Sequence, residues 1–233
     1  MSYPSTLDSC GLRNWATRAV GELAHRRDEI NALNVFPVPD SDTGSNMAHT
    51  MEAAVAELDN GGDVADSLAF GAVRGARGNS GMVLSQVLRG VAESTVDSVI
   101  DGDVFARSLQ QAVELVDRAI AQPVEGTVIT VLKAAAEAAD DAEAQSGATL
   151  HSIVSAAIAA AEKALERTPS QLPALREAGV VDAGGAGLVI LLESLLAEIE
   201  GSTGRTGVLE PETDTELEVV FFFEGDIDAL QTA

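Results

Sequence analysis

Cysteine is almost missing from this chain, with Cys10 alone among 233 residues. One thiol excludes an intrachain disulfide framework and suits a reducing compartment. Aromatic side chains are scarce too, at 3%. Alanine, leucine, valine and isoleucine must therefore build the core, and alanine-rich packing favours close-set helices over a β-sandwich. Basic residues number 14 against 37 acids, for a formal charge of −23. Such a surface repels phosphate backbones and argues against nucleic acid as a partner. It does not exclude a nucleotide, because a bound divalent cation inverts the local sign. No uncharged apolar run reaches the ~18 residues of a membrane span, and no basic-plus-apolar leader is seen. The expectation is a cytoplasmic protein without a membrane span.

The 46% of hydrophobic residues recur with helical period up to about residue 200. One helix is expected from a Ser9 cap to about Ile30, and another from a cap at Thr43 or Ser45, stopped by Asn60-Gly61-Gly62. Asp63 opens a short helix, and a long one begins near Asn79 or Ser80 after the glycine cluster "GARGNSGM". Asp103 opens the next, Thr127 another, and Thr149 one that should end at the Thr168-Pro169 step. The stretch "VVDAGGAGLVILLESLLAEIE" reads as a glycine loop feeding a very apolar helix. The total is about eight helices, an all-α fold over residues 1–200. Residues 201–216 read as a linker. In 217–233, "LEVVFFFEGDID" carries the chain's one strand signal, and a lone strand is not self-sustaining. A truncated following domain is the expectation there.

Four helix starts carry possible chemistry. In "NVFPVPDSDTGSNM", Asp40 and Asp42 stand two apart just before a helix, with Asn34 able to add an amide oxygen. Hard oxygen ligands of this kind suit Mg²⁺, and the alternative is an acidic helix cap. A calcium loop fails on spacing, because Ser45 and Met51 occupy its glycine and glutamate positions. "VRGARGNSGM" offers free N–H groups for an anion, or a tight turn between helices; without Gly-Lys-[Ser/Thr] it is not a Walker A loop. "EGTVIT" and "VVDAGGAG" add Thr127 and Asp182 at two more polar starts, whose glycines equally serve close packing. If the four starts share one end of a bundle, they form a nucleotide–Mg²⁺ rim. His25, His49 and His151 read as surface or packing residues, and no nucleophile–base set can be assembled.

Taken in order, "INALNVFPVPDSDTGSNM", "GARGNSGMVLSQVLRG", "EGTVITVLKAAAEAA" and "VVDAGGAGLV" resemble the N-terminal nucleotide-binding domain of the bacterial fatty acid kinase A subunit. More distantly they resemble the L subunit of dihydroxyacetone kinase. The resemblance implies an eight-helix antiparallel barrel with ATP or ADP and two Mg²⁺ at one rim. By motif, Asp40 and Asp42 are the metal carboxylates, and Asn34 stands near a third aspartate of the dihydroxyacetone kinase relatives, displaced by one residue. Thr43, Ser45 and Asn46 approach phosphates or metals, Gly78, Asn79, Ser80 and Gly81 form the phosphate turn, and Thr127 and Asp182 approach the adenosine end. The implied reaction is phosphoryl transfer to a fatty acid held on a DegV-like carrier protein, with no catalytic residue identified in this chain. Full-length subunits of that family resemble dimers. The alternatives are triose phosphorylation as a dihydroxyacetone kinase L subunit, or a non-catalytic nucleotide-binding interaction domain.

Overall fold

The structure, a computed structural model, describes residues 3–201. Ten α-helices make it up: α1 (Ser9–His25), α2 (Arg27–Leu33), α3 (Thr43–Glu57), α4 (Val64–Gly75), α5 (Gly78–Ser94), α6 (Gly102–Ala119), α7 (Val128–Glu143), α8 (Leu150–Gln171), α9 (Pro173–Ala178) and α10 (Ala183–Ile199). Two of them, α2 and α9, have seven and six residues; the other eight correspond to the eight helices expected from the sequence. Among the described residues β-structure is limited to two isolated bridges, Leu7–Ile100 and Val96–Val99. The fold is all-α. All but the first residue of the expected linker, and the whole strand-like segment, lie outside the described residues.

The long helices close a ring. Each packs on the next in the order α1, α3, α4, α5, α6, α7, α8, α10, and α10 returns to α1. Alanines make the closure possible: Ala16, Ala54, Ala112, Ala135, Ala157 and Ala161 are fully buried, and their small side chains let neighbouring axes approach. Gly71 goes further, since a Cβ there would collide with the Ala53 carbonyl of α3. Helix α10 is apolar on nearly every side, as a helix buried all round must be. The single tryptophan ties α1 to it through an Nε1–H donated to the Leu191 carbonyl at 3.1 Å.

Several helix ends differ from the sequence expectation. Asp8, not Ser9, caps α1 by accepting the Gly11 N–H, and the first helical stretch breaks at Arg26 instead of running to Ile30. Asp101, not Asp103, caps α6; Asp103 instead pairs with Arg107 one turn on. Pro169 does not end α8, which runs to Gln171. Proline removes the N–H that would bond the carbonyl four residues back, and here the Thr168 hydroxyl donates to that Leu165 carbonyl at 2.7 Å. The glycines of "DAGGAG" are not a loop but the first turns of α10, where a Cβ on Gly185 would crowd Val131 and Leu165.

The packing makes one stability prediction. Leu132 on α7 is fully buried, so Leu132→Ala should lower the unfolding free energy by about 2–5 kcal/mol, read by urea titration with Trp15 fluorescence.

Candidate functional site

A ring whose neighbours alternate in direction sends every second helix start to the same rim. Here the starts of α3, α5, α7 and α10 line one cleft of about 470 Å³. Chain leaving α2, α6 and α9 completes the walls, with residues from Asn34 to Asp42, residues from Ile120 to Thr127, and Asp182. Of the residues singled out from sequence, Asn34, Asp40, Asp42, Thr43, Asn46, Gly78, Asn79, Ser80, Thr127 and Asp182 line this cleft. Ser45 and Gly81 do not. Ser45 is engaged by Asn31, and Gly81 faces α3, where a Cβ would strike the Thr50 hydroxyl.

The acidic edge is set up by a residue that sequence reading missed. Asp42 holds the cap position of α3 yet makes no side-chain cap bond. Asn31 of α2 does the capping: its Oδ1 accepts the Gly44 N–H at 2.8 Å and the Ser45 N–H at 3.1 Å, while its amide donates to the Ser45 hydroxyl. The Asp42 carboxylate is thereby left for the cleft. Asp40, exposed, accepts from the Asn34 amide at 2.7 Å, and Asn34 itself is buried. Between the two aspartates Ser41 adopts φ 56°, a left-handed conformation uncommon outside glycine, asparagine and aspartate. No local motif connects Asn31 to Gly44 across thirteen residues, so its role was not legible.

The start of α5 is open. Arg77 at its cap position supplies no side-chain acceptor, which leaves the Gly78, Asn79 and Ser80 N–H groups for a ligand. Gly78 has φ +59°, a left-handed conformation that favours glycine, and a Cβ there would sit 2.6 Å from the Asn46 amide nitrogen and displace it. At the far end, Thr127 caps α7 without a side-chain bond to its N–H groups, donating instead to the Val124 carbonyl. Asp182 caps α10, accepting the Gly185 N–H at 2.7 Å, and its own N–H donates to Thr168. Burial pushes the Asp182 carboxyl up to about 6, against the pull of N–H groups from Gly185, Val128 and Gly184.

The chemistry of the lining is one-sided. Among the described residues three aspartates reach the cleft, and no lysine, arginine or histidine does. Among the described residues no group of three or more His, Cys, Asp or Glu side chains is arranged around a metal position. Asp40, Asp42 and Asn34 offer oxygen donors of the type Mg²⁺ takes, an ion that usually adds phosphate and water to one or two carboxylates. Apolar side chains not foreseen from sequence, among them Phe36, Val38, Ile120, Val124 and Ile129, line much of the rest. The histidines stay away; His151 stacks on Tyr3 and contacts Glu200.

Fold and cleft together define a helical-barrel domain with a cleft at a rim of helix N-termini around aspartates. Residues 37–197 match the DAK2 domain family, and the chain belongs to that family. It is 38% identical over 215 residues to Protein YloV of Bacillus subtilis (strain 168), covering 90% of this chain and 39% of that protein. A Staphylococcus aureus (strain USA300) protein is 38% identical over 198 residues, covering 82% of this chain and 36% of its own length. The chain thus spans under two-fifths of the curated relatives it matches. Among solved structures, the C. freundii dihydroxyacetone kinase in complex with AMP-PNP and Mg²⁺ shares the fold, with TM-score 0.58 and 19% identity over 84% of this chain and 35% of that one. Its native form superposes with TM-score 0.53 and 17% identity. No described helix is long and apolar enough to cross a membrane.

Two outcomes follow. Asn31→Ala should cost about 1 kcal/mol of stability through the lost α3 cap, measured by thermal or urea unfolding. For Asp182, the raised pKa means that the folded chain holds the proton more tightly than the unfolded chain. Stability is therefore lost as pH rises from 3.8 to about 6, by about 3 kcal/mol once ionisation is complete. Asp182→Asn should accordingly be more stable than the parent at about pH 7.5, by at most that amount, with the gain vanishing near pH 4. Lower stability of the variant at the higher pH would show that the N–H donors outweigh burial.

Proposed function

We propose that this chain is the ATP-binding part of a fatty acid kinase, which phosphorylates a fatty acid presented by a DegV-like carrier protein. The observation that carries the nucleotide reading is the convergence of four helix starts on a cleft with aspartates and, among the described residues, no cationic side chain. A bare polyphosphate would be repelled there, and a polyphosphate bound with divalent cations would not. Asp40 and Asp42, with Asn34, are the residues to hold two Mg²⁺, which when bound neutralise phosphate charge. The free N–H groups of Gly78, Asn79 and Ser80 donate to phosphate oxygens, with Thr43 and Asn46 beside them. Ser45 and Gly81 act from behind, one through Asn31 and the other by seating α5 on Thr50. Thr127 and Asp182, next to the apolar wall, take the adenosine end.

Transfer breaks the bond between the γ-phosphorus and the β–γ bridging oxygen and forms one to the acceptor oxygen, releasing ADP. A carboxylate acceptor is already ionised and needs no base. Among the described residues the cleft is lined by aspartates and by no histidine, lysine or cysteine, and such an acceptor asks no more of it. A triose hydroxyl needs a base or a covalent holder from a partner subunit; the fold shared with dihydroxyacetone kinase keeps this second reading in play. The motifs quoted above favour the first. Because the curated relatives are more than twice as long, this chain alone should bind nucleotide and turn over little.

Titration calorimetry with ADP and Mg²⁺ tests the site. Binding should depend on the cation, and replacing Asp40 and Asp42 together with alanine should weaken it at least about 100-fold, near 2.7 kcal/mol. Unchanged affinity in that variant would remove the metal edge from the account. Acyl phosphate formation by a full-length relative with carrier and fatty acid, set against triose phosphorylation with a K subunit, separates the two kinase readings.

A further inference from the structure

The three aspartates of the cleft are not alike. Asp40 is held by the Asn34 amide, and Asp42 leaves the capping of α3 to the neutral Asn31. Asp182, only 7% exposed, serves two helix starts at once. It accepts the Gly185 N–H of its own helix α10 at 2.7 Å. The N–H groups of Gly184 and of Val128, the first residue of α7, act on the same carboxylate. The two starts are close enough to share it, because a Cβ on Gly184 would lie 3.1 Å from the Val128 Cβ. Thr127, the local candidate for capping α7, donates its hydroxyl to the Val124 carbonyl instead. The backbone of Asp182 is pinned on both sides: its N–H donates to Thr168, and its carbonyl accepts the Ala186 N–H.

The four helix starts at the rim therefore differ in what they offer an anion. At α3 the Gly44 and Ser45 N–H groups are taken by the neutral Asn31. At α7 and α10 they face a carboxylate that, with its pKa at about 6, is ionised at neutral pH. At α5 the cap residue supplies no acceptor, and the start is open. We propose that Asp182 fixes the polarity of the bound ligand: it is an internal anion that occupies the α7 and α10 starts and admits phosphate only at the α5 end of the cleft. A phosphate entering the far end meets like charge in a partly dry setting, with N–H donors already engaged. An uncharged group meets neither obstacle, and Val124, Val128 and Ile129 offer it an apolar wall beside Asp182. The inference rests on the nucleotide reading above and adds what keeps the nucleotide from binding reversed.

The test uses inorganic pyrophosphate with Mg²⁺, a ligand without an uncharged end, followed by amide NMR of the full chain at about pH 7.5. In the parent it should shift Gly78, Asn79 and Ser80 and leave Val128, Gly184 and Gly185 in place. In Asp182→Ala both sets should shift, with affinity at the second set at least about tenfold above any in the parent. Asp182→Asn keeps an acceptor but not the charge, and should gain the second set more weakly. It also keeps the test open should the alanine variant misfold, which circular dichroism reads. A residue that only caps helices would change stability in these variants and confer no new anion binding. Folded variants without added shifts at Val128, Gly184 and Gly185, or a parent that already shows them, overturn the proposal. Missing shifts at Gly78, Asn79 and Ser80 in the parent would count against the nucleotide reading, whereas the difference between parent and variant at Val128 and Gly184 still decides the role of Asp182.

Discussion

A helix begins with N–H groups that its own backbone cannot pair, and in a closed ring of alternating helices those groups gather at two rims only. That constraint underlies everything described for the cleft. The ring order α1, α3, α4, α5, α6, α7, α8, α10 brings four starts to one rim, and the segments leaving the other helices make its walls. The rim therefore carries a concentration of positive dipole ends and, among the described residues, no basic side chain. Alanine at the helix crossings holds the ring close, and in that sense the scarcity of aromatic residues and the existence of the cleft are linked.

Two polar side chains make this rim available by doing jobs that the local sequence assigns elsewhere. Asn31 reaches from α2 to cap α3, which spares the Asp42 carboxylate for the cleft. Thr168 takes up the carbonyl that Pro169 leaves without a donor, and its oxygen also accepts the Asp182 N–H. Neither contact adds much energy by itself, since a neutral hydrogen bond contributes about 1 kcal/mol. Their effect is positional: each places an aspartate of the cleft. Asp182 carries the cost of that placement, being buried among N–H donors with its pKa raised to about 6.

Much of this was readable in the chain because helix starts have local chemistry. Asp63, Thr149 and Asp182 each precede a periodic apolar run, and each caps its helix by accepting N–H groups two or three residues on. Helical period together with caps and glycines located eight helices, and ten of the residues singled out by motif line the cleft. What was not readable is non-local. The Asn31 cap, the Thr168 repair of a proline-broken ladder and the apolar wall of Phe36, Val38 and Ile120 depend on residues that meet only after the ring closes. Glycine misled for a related reason: in "DAGGAG" it reads as loop, but its cause is the close approach of α10 to α7 and α8. Ser45 and Gly81 sit beside cleft residues in sequence yet turn to neighbouring helices.

The central claim is that the rim of helix starts, with its aspartates, is a cation-dependent anion site. Amide NMR of the labelled chain during titration with ADP, with and without Mg²⁺, measures this at the N–H groups themselves. The expected result is Mg²⁺-dependent shifts concentrated at Gly78, Asn79 and Ser80, at Val128 and Gly184, and through the Asn34–Asp42 segment. Shifts confined to other faces of the ring, or a pattern identical without the cation, would contradict the account.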